Sequence, residues 1–303
     1  MDRVLECLPR GGRVAVIRLR SLGDSVLTTP AIGILKRSRP DLRIAVAVES
    51  RFRAVFEENP DIEQILEPEI GAMRRWRPGL CLNFHGGTRS AWMTALSGAR
   101  FRAGFGHYRA QFAYNVRIPR AQEILGVERK VHTAEHLASA MFYLGAAVCE
   151  IPRANLYAAG AHQPASHTAV IHAVAATPAK TWPADRFVAV AHHLRECGLD
   201  PVFIGTAADN LAPFREFRTV AGASLSEIKT LLAQASLFVG NDSGPAHMAA
   251  AFGLPVTVIF GPSDPEIWSP WRTPSEVLSS PAGIEAVPVG DVIQALTRLR
   301  VAA

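Results

Sequence analysis

With 303 residues, 49% of them hydrophobic and 19% charged, the chain is long enough for two domains with their own cores, and its composition excludes a disordered protein in favour of a globular α/β one. The net charge of +5 is uneven: residues 1–160 carry 23 Lys and Arg against 15 Asp and Glu, and residues 161–303 carry 9 against 12. The basic excess is nearly all arginine, including Arg18, Arg20, Arg51, Arg53, Arg74, Arg75 and Arg77; it reads either as a solvated basic surface drawn to anionic lipid or as bidentate donors for phosphate and carboxylate, and no nucleic-acid motif accompanies it.

The N-terminal stretch has no apolar run suited to a signal peptide, and no segment reaches the roughly 18 uninterrupted apolar residues of a membrane span. Cys7, Cys81, Cys149 and Cys197 are widely spaced, without a Cys-x-x-Cys pair, as expected of reduced thiols in a cytoplasmic protein.

In chain order, residues 13–19 (RVAVIRL) form an apolar run that predicts a buried parallel strand. A loop over 20–24 leads to a helix from Ser25 to about Ser38, ended by Pro40 and Asp41. Strands follow at 43–48, 62–66 and 80–84, and a helix follows the His85-Gly86-Gly87 turn. The Arg-, Gly- and aromatic-rich stretch 100–114 reads as irregular and exposed, and 131–144 as a helix stopped by Gly145. Composition shifts at 158–167 (AAGAHQPASH), the expected linker.

A second series then begins. It has a strand at 169–173, a loop holding Lys180-Thr181-Trp182-Pro183, a helix at 184–197, a strand at 201–204 and a helix at 225–235. A short strand ending at Val239 enters a polar turn, a small-residue helix over 246–252 and a strand over 255–260; an amphipathic helix at 291–300 closes the chain. Strand–helix alternation with short connections predicts two doubly wound parallel-sheet domains, which hold ligands at the carboxyl ends of their strands.

Three positions at such ends carry candidate chemistry. Asp24 is either a general base or, with Ser25, the cap of the next helix. Lys180 is either a point charge for a phosphate or a surface lysine before a Pro-started helix. Asp209 is either a ribose ligand or a helix cap. The turn Asp242-Ser243-Gly244-Pro245 opens a helix whose N-terminus is a ready anion site, although an ordinary crossover has the same look.

Two patterns are set aside. His132-Thr133-Ala134-Glu135-His136 has the H-x-x-E-H form of one zinc peptidase family, but the sequence offers no third ligand. Asp264-Pro265-Glu266 reads as a turn, and no Asp-x-Asp motif, G-x-G-x-x-G or P-loop occurs.

Three segments in order, VAVIRLRSLGDSVLTTPAIGILKRSRPDLRI, AKTWPADRFVAVAHHL and FVGNDSGPAHMAAAFGLPVTVIFGPSDP, resemble glycosyltransferase family 9, the lipopolysaccharide heptosyltransferases. The resemblance spans nearly the whole chain. It implies a GT-B fold, two Rossmann-like domains facing across a cleft. These would be an acceptor-side domain (1–157), the linker (158–167), a donor domain (168–288), and a C-terminal helix (289–303) packing back on the first domain. The implied reaction is inverting, metal-independent transfer of heptose from ADP-L-glycero-D-manno-heptose to the Kdo or heptose inner core of lipopolysaccharide, with no cofactor.

By motif, Asp24 resembles the general base and Lys180 the phosphate contact. Ser21, Gly23, Thr181, Asp209, Asp242, Ser243, Gly244, Pro245 and His247 correspond to donor-binding positions, with Asp209 where the family commonly carries Glu. Arg51 and Arg53 are candidates for an anionic lipid A/Kdo-type acceptor, with peripheral contact at the inner face of the inner membrane. Rival readings are a transfer with another donor sugar or another acceptor, and a silent nucleotide-sugar-binding protein. A nucleotide-sugar epimerase shares the architecture but has no need of the Gly23-Asp24 feature.

Overall fold

Central apolar runs and the polar turns between them build two sheets of six strands, every pairing parallel. The computed structural model describes residues 4–158 and 167–301, in two compact units, Met1–Tyr157 and Ala158–Ala303. Of the expected linker, residues 159–166 lie outside the described residues.

The first unit contains β1 (Arg13–Ile17), α1 (Leu22–Ser38), β2 (Arg43–Ala47), β3 (Gln64–Leu66), α2 (Ile70–Trp76) and β4 (Leu80–Asn83). It continues with α3 (Thr88–Ala95), β5 (Phe101–Phe105), β6 (Val116–Ile118), α4 (Ala121–Leu125) and α5 (Thr133–Leu144). The second contains β7 (Thr168–His172), α6 (Ala184–Glu196), β8 (Asp200–Gly205), β9 (Arg218–Ala221), α7 (Leu225–Gln234) and β10 (Leu237–Asn241). After these come α8 (Gly244–Phe252), β11 (Val256–Phe260), α9 (Pro265–Trp268), β12 (Ser275–Ser279) and α10 (Val289–Val301).

The sheet orders are β3-β2-β1-β4-β5-β6 and β12-β11-β10-β7-β8-β9. Counted from each unit's own first strand, both read 3-2-1-4-5-6, the dinucleotide-binding order. Two halves without sequence repeat thus share one topology. The order reverses between β1 and β4 and between β7 and β10, and the strand ends there open toward a ligand.

The stretch expected as irregular, 100–114, contains β5. Its alternation is broken by Arg102 and Gly104, but Phe105 is fully buried and its ring stacks on His136 at 4.0 Å. Gly104 is required because a Cβ there would stand 2.5 Å from the Tyr114 ring. The strands β6, β9 and β12, at sheet edges, are partly exposed and each carries polar residues, so they lack the apolar run that marks a buried parallel strand.

Helix α1 starts at Leu22, before the expected Ser25, and corrects the capping alternative. Ser21 occupies the cap position without a side-chain capping bond, and its carbonyl accepts both the Ser25 N–H (3.0 Å) and the Ser25 hydroxyl (2.7 Å). Within α1, Pro30 has no N–H for the Val26 carbonyl; the Thr29 hydroxyl donates to that carbonyl at 2.8 Å instead.

The last helix also differs from expectation. Helix α10 packs on α6, β11 and β12, and Val292 and Leu296 join the second unit's core with Trp182 and Phe187. Its apolar stripe therefore belongs to the second unit, where the resemblance implies a return to the first.

Two stability predictions follow from the first unit. Ser21 has φ 74° and ψ 121°, a region natural to glycine, at a strain of about 1–3 kcal/mol. Ser21→Gly relieves it and loses about 0.5–1 kcal/mol to added unfolded-state entropy, so urea unfolding should show a net gain of about 1 kcal/mol; a loss would contradict the strain. Burial, with the charges of His107 and Arg18, lowers the His136 pKa from 6.5 to about 4. The folded state then binds fewer protons than the unfolded chain between these values, so stability is complete above pH 6.5 and falls as pH drops toward 4. The urea midpoint should decline over that window, and His136→Phe should flatten the decline; an unchanged slope would remove His136 from the account.

Candidate active site

At the carboxyl end of β1, the chain places Arg18 in the interior, 6% exposed. Its Nη2 reaches Asp24 Oδ1 at 3.3 Å and its Nε donates to Thr28 Oγ1 at 3.2 Å. The Thr28 hydroxyl in turn donates to the Asp24 carbonyl at 2.8 Å. A buried guanidinium needs a carboxylate, so Asp24 is held in place while its side chain stays 21% exposed. Ser21 and Gly23 stand beside it in the same turn, Ser21 exposed and Gly23 buried.

The neighbouring strand, β4, ends in a second ordered loop. Buried Asn83 accepts the N–H groups of His85 (2.9 Å) and Gly86 (3.0 Å), and donates to Ser90 Oγ (3.1 Å) and Tyr114 Oη (2.9 Å). Gly86, at φ +74°, admits the Tyr108 ring, which a Cβ would meet at 2.6 Å. Burial lowers the His85 pKa, with the charges of Arg18 and Arg20 acting in the same direction and that of Asp24 against it. His85 thus lies within electrostatic reach of Arg18 and Asp24, a residue that sequence reasoning treated only as part of a turn. Arg51 and Arg53 lie in the turn after β2, where Arg51 pairs with Glu49 at 2.9 Å and Arg53 with Glu57 at 3.2 Å. Such exposed pairs contribute only about 0–1 kcal/mol, so an anionic ligand can displace them.

The second unit brings Lys180, Asp242 and Ser243 together. Lys180 ends a short turn after β7 and places Nζ 3.1 Å from Asp242 Oδ2. Ser243 occupies the cap position of α8 without a capping bond of its own; its Oγ lies 3.0 Å from His172 Nδ1. Burial lowers the His172 pKa to about 4, partly opposed by the charge of Asp209, so this imidazole is neutral near pH 7. Gly244 and Pro245 open α8, and His247 is buried one turn along.

Two predicted donor positions are oriented toward their own backbone. The Thr181 hydroxyl donates to Thr177 O at 2.9 Å. Asp209 Oδ2 accepts from the Thr206 N–H (2.6 Å) and hydroxyl (2.7 Å), which resolves the capping alternative in favour of a local turn.

Three residues escaped the sequence reading. Asn241 is fully buried, and its Oδ1 accepts the Trp182 N–H at 3.0 Å. Trp182 is buried as well and donates Nε1–H to Val287 O at 3.0 Å. Gly261 lies against the Ala179 carbonyl and Lys180 Cα, so the Lys180 turn rests where any Cβ would intrude. Only the adjacency of Asn241 to Asp242 hinted at the first of these.

The H-x-x-E-H pattern has a structural explanation. His132 caps α5 by accepting the Ala134 N–H on Nδ1 at 3.1 Å, and Glu135 accepts the His132 N–H and pairs with Arg129 at 2.6 Å. His136 stacks on Phe105. Among the described residues, no group of three or more His, Cys, Asp or Glu is arranged to hold a metal ion. No disulfide joins the cysteines, and burial pushes the Cys81 thiol up to about 12.

The chemistry differs between the two edges. The first offers a positioned carboxylate able to accept a proton. The second offers a lysine and the positive end of a nine-residue helix, a combination suited to phosphate.

Comparison with known proteins gives the family and the fold class. The profile of glycosyltransferase family 9 (heptosyltransferase) matches residues 73–287. Lipopolysaccharide heptosyltransferase 3 of Escherichia coli K12 is 28% identical over 84% of this chain and 83% of its own length. Among solved structures, the family 9 glycosyl transferase of Veillonella parvula superposes with a TM-score of 0.87 at 19% identity, covering both chains fully. Escherichia coli heptosyltransferase WaaC with ADP-2-deoxy-2-fluoro heptose superposes at 0.76 and 18% identity, over 94% of this chain and 99% of that one. These likenesses assign the GT-B fold class to the pair of Rossmann-like units. The chain is a glycosyltransferase and belongs to glycosyltransferase family 9.

Proposed function

We propose that this enzyme moves a heptose from ADP-L-glycero-D-manno-heptose to an inner-core sugar, Kdo or heptose, of lipopolysaccharide, with inversion and without a metal ion. The observation that carries the reading is the Lys180–Asp242 pair at the N-terminus of α8, at the strand-order reversal of the second sheet. The relatives supply the sugar and acceptor, since one is a lipopolysaccharide heptosyltransferase and another is a heptosyltransferase solved with ADP-2-deoxy-2-fluoro heptose.

In this mechanism Asp24 accepts the proton of the acceptor hydroxyl as its oxygen attacks the anomeric carbon. The bond from that carbon to the diphosphate oxygen breaks, and ADP departs from the opposite face, so one displacement inverts the centre. Lys180 and the N–H groups at the start of α8 stabilise the charge growing on the leaving phosphate, the work a divalent cation performs in metal-dependent transferases. Neutral His172 orients Ser243 beside the same phosphate, and Asp209 serves the donor ribose. Arg51 and Arg53 exchange their glutamate partners for acidic groups of the acceptor. The protein works at the cytoplasmic face of the inner membrane as a peripheral enzyme; no described helix is long and apolar enough to cross a membrane.

Release of ADP and the mass of the glycosylated product, followed with EDTA present throughout, test these roles. Asp24→Asn should lower kcat about 10²–10⁴-fold and Lys180→Ala about 10²–10³-fold, each with unchanged far-UV circular dichroism. Near-normal turnover by Asp24→Asn would remove it as the base, and loss of wild-type activity in EDTA would contradict metal independence. Gly261→Ala should push the Lys180 turn away from the Ala179 carbonyl and cost about tenfold or more in kcat/KM for the donor; unaltered donor kinetics would show that this close approach does not position the lysine.

A further inference from the structure

Residues 70–122 contain nine arginines and no Asp, Glu or Lys. This acid-free stretch runs through α3 and the loop that joins β5 to β6. Three large apolar side chains on it face solvent: Trp92 is 50% exposed, Leu96 37% and Phe112 63%. Trp92 on α3 and Leu96 at its C-terminal cap lie one turn apart. Phe112, from the loop after the carboxyl end of β5, brings its ring within 5.1 Å of the Trp92 ring. The other large exposed apolar residues among those described, Val148 and Val277, are single aliphatic side chains. An aromatic pair left in water by the fold marks a surface made for contact.

The charges around the pair select the partner. Arg100 and Arg109 are both exposed, Arg109 three residues before Phe112 and Arg100 four after Leu96. Aromatic and aliphatic side chains amid arginines fit the boundary between headgroups and acyl chains, where the rings enter the apolar layer and the guanidiniums meet anionic headgroups. Arg89 on α3 lies 3.8 Å from Glu49, but among the described residues no ion pair engages Arg100 or Arg109 beside the aromatic pair, and a second copy of this chain would oppose them to their own counterparts.

We infer that Trp92, Leu96 and Phe112, with Arg100 and Arg109, dock on the surface of an anionic lipid bilayer. The loop carrying Phe112 follows the carboxyl end of β5, in the same sheet whose β1 carboxyl end leads to Asp24, so docking brings that edge toward the membrane plane. The inference deepens the proposed function, on which it rests for the lipid anchor of the acceptor, by naming the surface that meets the lipid.

The full chain should be sedimented with vesicles of phosphatidylethanolamine and phosphatidylglycerol (3:1) and with pure phosphatidylcholine vesicles. It should partition onto the anionic vesicles about tenfold or more above the zwitterionic ones, less so at high salt, with a blue shift of tryptophan emission. The double variant Trp92→Ser/Phe112→Ser should lose about tenfold or more of this partitioning, while transfer to a deacylated, water-soluble acceptor stays at the wild-type rate. Wild-type partitioning by the double variant would overturn the inference. So would equal binding to both vesicle types, or a wild-type dimer in sedimentation velocity that the double variant lacks while still binding vesicles. Vesicle binding is read without turnover: a chain that docks but transfers no heptose would defeat the proposed reaction and support the docking surface.

Discussion

The Lys180–Asp242 edge of the second unit depends on a buried hydrogen bond between Asn241 Oδ1 and the backbone N–H of Trp182. It ties the loop that delivers Lys180 to the strand that delivers Asp242, and the indole of Trp182, fully buried against Phe187, secures the loop from below. The partly exposed Lys180–Asp242 pair contributes about 0–1 kcal/mol, too little to hold a loop. Removing a buried tryptophan costs about 3–5 kcal/mol. The apolar anchor and the asparagine therefore set the geometry, and the lysine is left to respond to a ligand's charge. Gly261 completes the arrangement by letting the loop after β11 lie directly on the Lys180 turn.

The two units apply one topology to opposite charges. Both reverse strand order beside their first strand, and both follow that strand with a short turn. In the first unit the turn is followed by the opening of α1, and a buried arginine holds a carboxylate there. In the second the residue is a lysine, and the facing strand leads into a helix N-terminus. One edge is thereby suited to accepting a proton and the other to receiving negative charge. Sugar transfer from a nucleoside diphosphate requires both, since the acceptor oxygen must lose a proton as the phosphate gains charge.

Much of this was legible in the sequence, and the rest has physical reasons for being hidden. β1, β4, β7, β10 and β11 are buried on both faces and appear as unbroken apolar runs, whereas β6, β9 and β12 sit at or near sheet edges with polar residues and carry no such signature. β5 was obscured by Arg102 and by Gly104, whose need arises from the ring of Tyr114 packed against it, a contact no sequence pattern shows. Asp24, Lys180, Asp242 and Ser243 stood out because each follows a recognisable strand. Their partners did not: Asn241 and Trp182 are 59 positions apart, and His172 and Ser243 are 71 apart. The apparent zinc pattern dissolved for a local reason, because its first histidine and its glutamate both serve the start of a helix.

The central claim is that the second unit's edge selects an ADP-linked heptose and that the enzyme passes this sugar to an inner-core acceptor. Its most direct test is a competition in one vessel. The purified enzyme receives a Kdo-bearing acceptor with equal amounts of ADP-heptose, ADP-glucose and UDP-glucose, and mass spectrometry identifies the sugar added. The account predicts a single product heavier by one heptose, accompanied by ADP. A hexose on the acceptor, or UDP as the released nucleotide, would contradict it.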